Sequence, residues 1–254
     1  MLPSGRMFKN KIVARHHVFT FTELEQIPGF VHLVVGRPSV PKELDAEASE
    51  KVAYLPPDEV LTAATIGEFL MVPLQQIHSD RTIVLDGSSN RAGPLQEADG
   101  VIALRAEVCP VIRTADCVPV IAVASQQRAL GIFHAGWRGT CSRIVEKGIL
   151  RLLQASGASP EDVVVAFGPA IRKCCYEVGT EVEAEFRKEG HEIERFINDK
   201  HLDLLEANRL QLLSLGINRI LDSGLCTACH PKLLYSYRRD RTSNRIWTIA
   251  GFRS

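Results

Sequence analysis

The sequence predicts a single domain mixing α and β structure, and three observations carry that prediction. Short, β-branched apolar runs recur between residues 100 and 167, at a spacing suited to buried strands. An apolar stripe of helical period runs through Ile144, Val145, Gly148, Ile149 and Leu152, and stops near Gly157. No internal repeat, low-complexity tract or linker interrupts the 254 residues, so one α+β unit over residues 1–254 is the economical assignment.

Residues 1–70 carry the weakest signal. Val18-Phe19-Thr20-Phe21 and Val31-His32-Leu33-Val34-Val35 read as short strands, and residues 44–54 alternate charge and alanine like an exposed helix. Pro56-Pro57 ends that helix, and Asp58 is placed to cap an apolar stretch over 60–69. Strands follow over 72–77 and 82–85, around Gln76-Ile77-His78-Ser79-Asp80. Gly87-Ser88-Ser89-Asn90 and Gly93-Pro94 are loop chemistry. Residues 100–104, 111–114, 118–124 and 130–134 are too short and too β-branched for helices, so they are assigned as buried strands. The helical stripe comes next and packs on the sheet, followed by a strand at 163–167. Helices are expected over 181–188 and 202–215, then strands over 217–221, 233–238 and 245–250, the last two joined by a turn at Ser243-Asn244.

Composition narrows the function. Lys+Arg 30 balance Asp+Glu 30 for a formal net charge of +0, and the charges are interspersed. The positive field that steers nucleic-acid binders toward phosphate is absent, and a small, neutral or locally paired ligand fits better. Seven cysteines cannot all pair, Cys174 and Cys175 are adjacent, and the opening residues lack the apolar run of a secretory signal. A cytoplasmic protein with reduced thiols is expected. No apolar run reaches the length of about 18 residues that a membrane span requires.

Three residues share an unusual setting. His78, Cys117 and His134 each fall at a strand end or in the turn beside one. Catalytic zinc uses three protein ligands and leaves a fourth position open, and two His plus one Cys meet that requirement. Separations of 39 and 17 residues match no local zinc-finger spacing, so the ligands must converge through the fold; three unrelated core or loop residues are the alternative. In Arg113-Thr114-Ala115-Asp116-Cys117 a carboxylate precedes the thiol between two apolar strands, where a charge needs a partner. In His134-Ala135-Gly136-Trp137-Arg138-Gly139-Thr140 two glycines permit a tight strand-to-helix turn, which can hold an anion or a polarised water. The bland reading of that turn makes Trp137 core and Arg138 a surface charge.

Other features have weaker readings. The vicinal Cys174-Cys175 can bind a soft metal or form a strained disulfide, but two buried small hydrophobes are the expectation. Cys226-Thr227-Ala228-Cys229-His230 matches the c-type haem pattern, yet attachment requires export. It also finds no second C-x-x-C with which to build a four-cysteine zinc site, so a loop with free or weakly metal-binding thiols is expected. Ser236-Tyr237-Arg238-Arg239-Asp240-Arg241 suits either phosphate binding or a salt-bridged sheet edge.

Taken together, Gln76-Ile77-His78, Ala98-Asp99-Gly100, Arg113 to Val120, His134 to Gly139, Gly168 to Ile171, Cys174 to Gly179, Leu202 to Leu204, Gly224 to Thr227 and Ser236 to Asp240 resemble, in order, a known family. It was long labelled multicopper polyphenol oxidoreductase, or laccase-domain protein, and was later understood as zinc-dependent purine nucleoside phosphorylases with adenosine deaminase activity. The resemblance runs from residue 72 to the C-terminus. It implies a four-layer α/β/β/α sandwich with mixed sheets, usually monomeric, with one zinc ion held by His78, Cys117 and His134. It also implies phosphate attack on the glycosidic carbon of adenosine, inosine, guanosine or methylthioadenosine, and hydrolytic removal of the adenine amino group. An open zinc position suits that chemistry, since it lowers the pKa of water to about 7. On this reading Asp116 orients the attacking group or shuttles a proton, Arg138 and Arg238 contact phosphate or ribose, and Gln76 and Trp137 meet the substrate.

The N-terminus departs from the family pattern. Members carry a Thr-Arg-x-Gly-Gly-Val-Ser segment and a Ser-Leu-Asn-Leu segment, whereas this chain reads Phe19-Thr20-Phe21-Thr22-Glu23-Leu24-Glu25 and then His32-Leu33-Val34-Val35. Acidic surroundings in place of an arginine weaken an anion site, so phosphorolysis is expected to be the activity at risk. Copper oxidase chemistry lacks support: of eight histidines only His16 and His17 are adjacent, and no His-x-His occurs. The H-x-E and P-C-x-x-C signature of cytidine-type deaminases is absent too. Two other classes remain open, a catalytically degenerate zinc-binding relative and a cysteine hydrolase with Cys117 as nucleophile.

Overall fold

All seven residues of Val118–Ala124, and all seven of Ala129–Ala135, are buried. Burial on both faces is why these runs are continuously apolar rather than alternating. The computed structural model describes residues 8–39, 54–86 and 95–254. In chain order these begin with β1 (Phe8–Val13), β2 (His16–Phe21), β3 (Phe30–Pro38), α1 (Asp58–Ala63), β4 (Leu70–Gln75), β5 (Thr82–Leu85), β6 (Gln96–Glu97) and β7 (Gly100–Ala103). Next come β8 (Val108–Thr114), β9 (Val118–Ala124), β10 (Ala129–Ala135), α2 (Trp137–Cys141), α3 (Ile144–Ser156) and β11 (Val163–Phe167). The chain closes with α4 (Thr180–Lys188), β12 (Ile197–Asn198), β13 (His201–Leu202), α5 (Leu204–Ser214), β14 (Arg219–Asp222), α6 (Tyr237–Asp240) and β15 (Ile246–Phe252).

Two large mixed sheets result. One is ordered β1-β2-β3-β15-β8-β4-β6 and the other β14-β11-β9-β10-β7-β5. A shared core joins them, with Phe21, Ile112 and Phe252 from the first sheet meeting Ile121, Ile132 and Val164 from the second. The far face of the second sheet packs against α3, α4 and α5 through Phe133, Ile149, Phe186 and Leu212. Over the outer face of the first sheet, α1 contributes Val60 and Leu61. Gly148 lets α3 approach closely, because a Cβ there would overlap the Phe133 ring. Gly157 ends that helix in the left-handed region at φ 72°, the usual stop for a helix.

Several sequence-based assignments shift. Asp58 is the first residue of α1 rather than its cap; the Pro57 carbonyl accepts from Val60 N at 2.9 Å. The helix stops at Ala63 because Thr65 turns left-handed at φ 55°. Residues 233–238 form no strand: Leu233 N and Leu234 N both donate to His230 O, and Ser236 Oγ then caps α6 by accepting from Arg239 N at 3.2 Å. Phe8–Val13, which gave no strand signal, pairs with β2 along its whole length. The helix expected at 44–54, apart from Tyr54, and the loops at 87–90 and 93–94 lie outside the described residues. No helix among the described residues is long and apolar enough to cross a membrane.

Among the connections that pass from one large sheet to the other are residues 76–81, between β4 and β5, and residues 115–117, between β8 and β9. Both reach the same end of the sandwich as the junction of β10 with α2. The candidate site lies there.

Candidate metal centre

Asp99, which immediately precedes β7 and is 0% exposed, organises the first of these connections. Its carboxylate accepts hydrogen bonds from the backbone N–H of Ile77 at 3.2 Å, His78 at 3.0 Å and Ser79 at 2.6 Å, and from Ser79 Oγ at 2.8 Å. Those bonds hold His78 in the left-handed region at φ 59°. The same carboxylate lies 2.8 Å from His134 Nδ1. A carboxylate partner requires the proton on Nδ1 and leaves Nε2 as the nitrogen with a free lone pair. Burial pushes the Asp99 carboxyl up, but the His134 and Ser79 hydrogen bonds outweigh it and hold the group below the usual carboxylate range.

Cys117 arrives from the opposite side, in the turn between β8 and β9. One donor atom each from His78, Cys117 and His134 lie within 4.8 Å of one another. The residue before Cys117, Asp116, takes φ 99°, a strained setting for a side chain other than glycine. Gly136, at the N-terminus of α2, completes the cradle. A Cβ there would stand 2.9 Å from Cys117 Sγ and 3.2 Å from His78 Cδ2. Burial opposes charge on both members of the inner pair, yet thiolate and imidazolium stabilise each other, drawing the Cys117 thiol down and the His134 imidazole up. A dication offers the same compensation. Two nitrogens, one sulfur and a carboxylate behind His134 are a donor set and outer support that could hold a metal ion.

The donors line a cavity of about 570 Å³, within the usual range for small-ligand sites. Its walls are cationic, with Arg113 from β8, Arg238 from α6, and Arg241 and Arg245 from the segment leading into β15. Burial lowers Arg113 below the usual guanidinium range; the charge and hydrogen bond of the Tyr54 phenol work the other way, and the charge on Arg245 adds to the lowering. Arg238 sits over the Tyr176 ring at 5.2 Å and donates to Glu177 O at 2.8 Å. Tyr176 itself is pushed up by burial and by the neighbouring Cys117.

The structure brings most of the sequence-predicted residues together, with altered parts for some. His78, Cys117, His134, Asp116, Gln76 and Arg238 line the cavity. Each carboxylate oxygen of Asp116 accepts one hydrogen bond, from Thr227 Oγ1 at 2.6 Å and from Arg238 N at 2.7 Å, which ties the C-terminal wall to the turn before β9. Gln76 grips the backbone of Arg113 in both directions at 2.8 Å, tying β8 to the His78 loop. Trp137 and Arg138 do not line the cavity. Trp137 packs against the helical core, and the exposed Arg138 stacks on it at 4.2 Å. Glu23 pairs with Arg219 and Glu25 with Lys9, so the N-terminal acids expected to weaken an anion site are neutralised away from the cavity. Sequence reasoning missed Asp99, Arg113, Tyr176, Arg241 and Arg245 as parts of the site; an acid in Ala98-Asp99-Gly100 at the head of a buried strand was the available signal for the first.

A further correction concerns the remaining thiols. Cys174 is exposed and Cys175 half-buried, not two buried hydrophobes, and both meet Cys226 and Cys229, which were expected to lack partners.

Comparison with known proteins fits this geometry. The family model described as multi-copper polyphenol oxidoreductase laccase matches residues 58–253. The chain belongs to this laccase-like family. A purine nucleoside phosphorylase of Bacteroides thetaiotaomicron is 36% identical over 187 residues, covering 68% of this chain and 69% of that protein. A protein named adenosine deaminase RL5, from an unknown prokaryotic organism, is 32% identical over 184 residues, covering 67% and 70%. The crystal structure of YlmD from Geobacillus stearothermophilus superposes with a TM-score of 0.81 at 26% identity, covering 98% of this chain and 99% of that one. The mixed α/β architecture of the laccase-like family is therefore shared along nearly the whole chain.

Proposed function

We propose that this chain is a zinc-dependent enzyme of purine nucleosides that catalyses phosphorolysis of the glycosidic bond and hydrolytic deamination of adenosine. The observation that carries the reading is the convergence of His78, Cys117 and His134 at a cavity ringed by Arg113, Arg238, Arg241 and Arg245. The names of the similar proteins point the same way.

His78, Cys117 and His134 would hold the ion, and Asp99 fixes the tautomer of His134. When bound, zinc would supply a Lewis acid that polarises the attacked centre or makes water more acidic. Everything else falls to the protein. Phosphorolysis exchanges the C1′–N9 bond of the nucleoside for a C1′–O bond to phosphate, so a doubly negative nucleophile must be held beside a ribose. Arg113 and Arg245, whose like charges already bear on each other, are relieved by an anion between them, and Arg241 lies on the same wall. Tyr237, 50% exposed, offers an aromatic face to the purine. Asp116 keeps Arg238 and Thr227 in register. Deamination needs no phosphate, so the two activities separate experimentally.

Incubation with adenosine, with and without phosphate, tests the reading. Adenine forms only with phosphate and inosine forms without it; absence of both from zinc-loaded protein overturns the proposal. A second reading has its own observation: Asp99, His134 and Cys117 form a chain that also suits a nucleophilic thiol. His78 is superfluous to such a thiol and necessary to a metal. Protection of Cys117 from alkylation by added zinc favours the metal.

A further inference from the structure

Away from the cavity, the fold gathers four thiols that the proposed reactions do not use. Cys174 and Cys175 lie in the turn after Ala170, and Cys226 and Cys229 lie in the loop that pairs with it through the Ala170–Cys226 bridge. Cys175 Sγ is 3.4 Å from Cys229 Sγ, while Cys174 Sγ is 3.7 Å from Cys175 Sγ and 3.8 Å from Cys229 Sγ. All four sulfurs lie within 4.8 Å of one another, and none is in a disulfide. Four sulfurs bound tetrahedrally at about 2.3 Å from zinc stand about 3.8 Å apart. The disulfide length is about 2.05 Å, so the spacing matches shared coordination rather than a covalent pair.

Backbone chemistry points the same way. Cys226-Thr227-Ala228-Cys229 has the two-residue separation of zinc-binding turns. Arg239 donates to Thr227 O at 2.7 Å and Ala228 O at 3.0 Å, which holds the turn between Cys226 and Cys229.

We propose that Cys174, Cys175, Cys226 and Cys229 bind a second, structural zinc ion. Binding releases the thiol protons to solvent and involves no oxidation. The ion would fasten two segments that each serve the cavity: Tyr176 follows Cys175 directly, and Thr227, which donates to Asp116, follows Cys226. The clasp shares no ligand with the His78–Cys117–His134 centre, so either site can fail without the other.

Full-length protein purified with reductant and no added metal is expected to carry about two zinc ions per chain, and the Cys117→Ser variant about one. X-ray absorption on that variant should read four sulfurs at about 2.3 Å. Cys174→Ser/Cys229→Ser should lose the all-sulfur signal and keep a mixed nitrogen and sulfur shell. If that double variant does not fold, the Cys117→Ser measurement decides alone. Zinc absent from Cys117→Ser overturns the proposal, as does a reductant-purified wild-type mass lighter by two hydrogens, the mark of a disulfide.

Discussion

Asp99 shows how one buried side chain can govern a site it does not enter. It bonds three consecutive backbone amides around His78 and the ring nitrogen of His134, so it fixes two donors at once. Replacement by asparagine keeps the shape but removes the charge that holds the His134 tautomer, and zinc affinity should fall about 10- to 100-fold, measured by competition with a chromophoric chelator. Gly136→Ala tests the cradle differently. Its Cβ would sit 2.9 Å from Cys117 Sγ, so metal binding should weaken while the circular dichroism of the fold persists. The donors were legible as His and Cys at strand ends, whereas the signal for Asp99, an acid at the head of a buried strand, was weaker, because its burial and its partners are known only from the fold.

At the scale of elements, the central strands were legible because unbroken β-branched runs such as Val118–Ala124 have few alternatives to a doubly covered strand. Residues 233–238 misled for a physical reason. Two of their backbone groups are satisfied by side chains rather than a ladder: Leu234 O accepts from Arg239 Nη2, and Arg238 N donates to Asp116. Periodicity carries no trace of a side-chain partner such as Asp116, 122 residues away. That same segment delivers cations to the cavity, and Arg241→Gln removes one of them. Loss of a charge-assisted hydrogen bond costs about 1.5–3 kcal/mol, so KM for phosphate should rise about 10- to 100-fold. Adenosine deamination assayed without phosphate should be unchanged, and an equal loss in both reactions would contradict a phosphate-holding role.

For the molecule as a whole, stability should depend on pH through a group remote from the site. His32 in β3 is 4% exposed and its Nε2 accepts from Phe21 N at 2.7 Å, an arrangement that only the neutral ring permits. Burial lowers its pKa to about 4, against a partial opposing effect from Glu25. The unfolded chain therefore takes the proton first. The contribution is complete above about pH 6.5, declines as pH falls toward 4 and is flat below, for a loss of about 3 kcal/mol. Urea midpoints at neutral and mildly acidic pH should show the decline, and His32→Gln, which keeps an acceptor but cannot titrate, should reduce it. The crossing of the chain between sheets has a temporal consequence. His78 and Cys117 ride on two of the connections that pass between the large sheets, and His134 lies near the end of β10 in the second. The three donors lie on or just before β5, β9 and β10, which are separated in sequence and meet only when the second sheet has formed. If the proposed zinc binds here, its capture would follow assembly of that sheet, and metal content at this centre would count finished molecules.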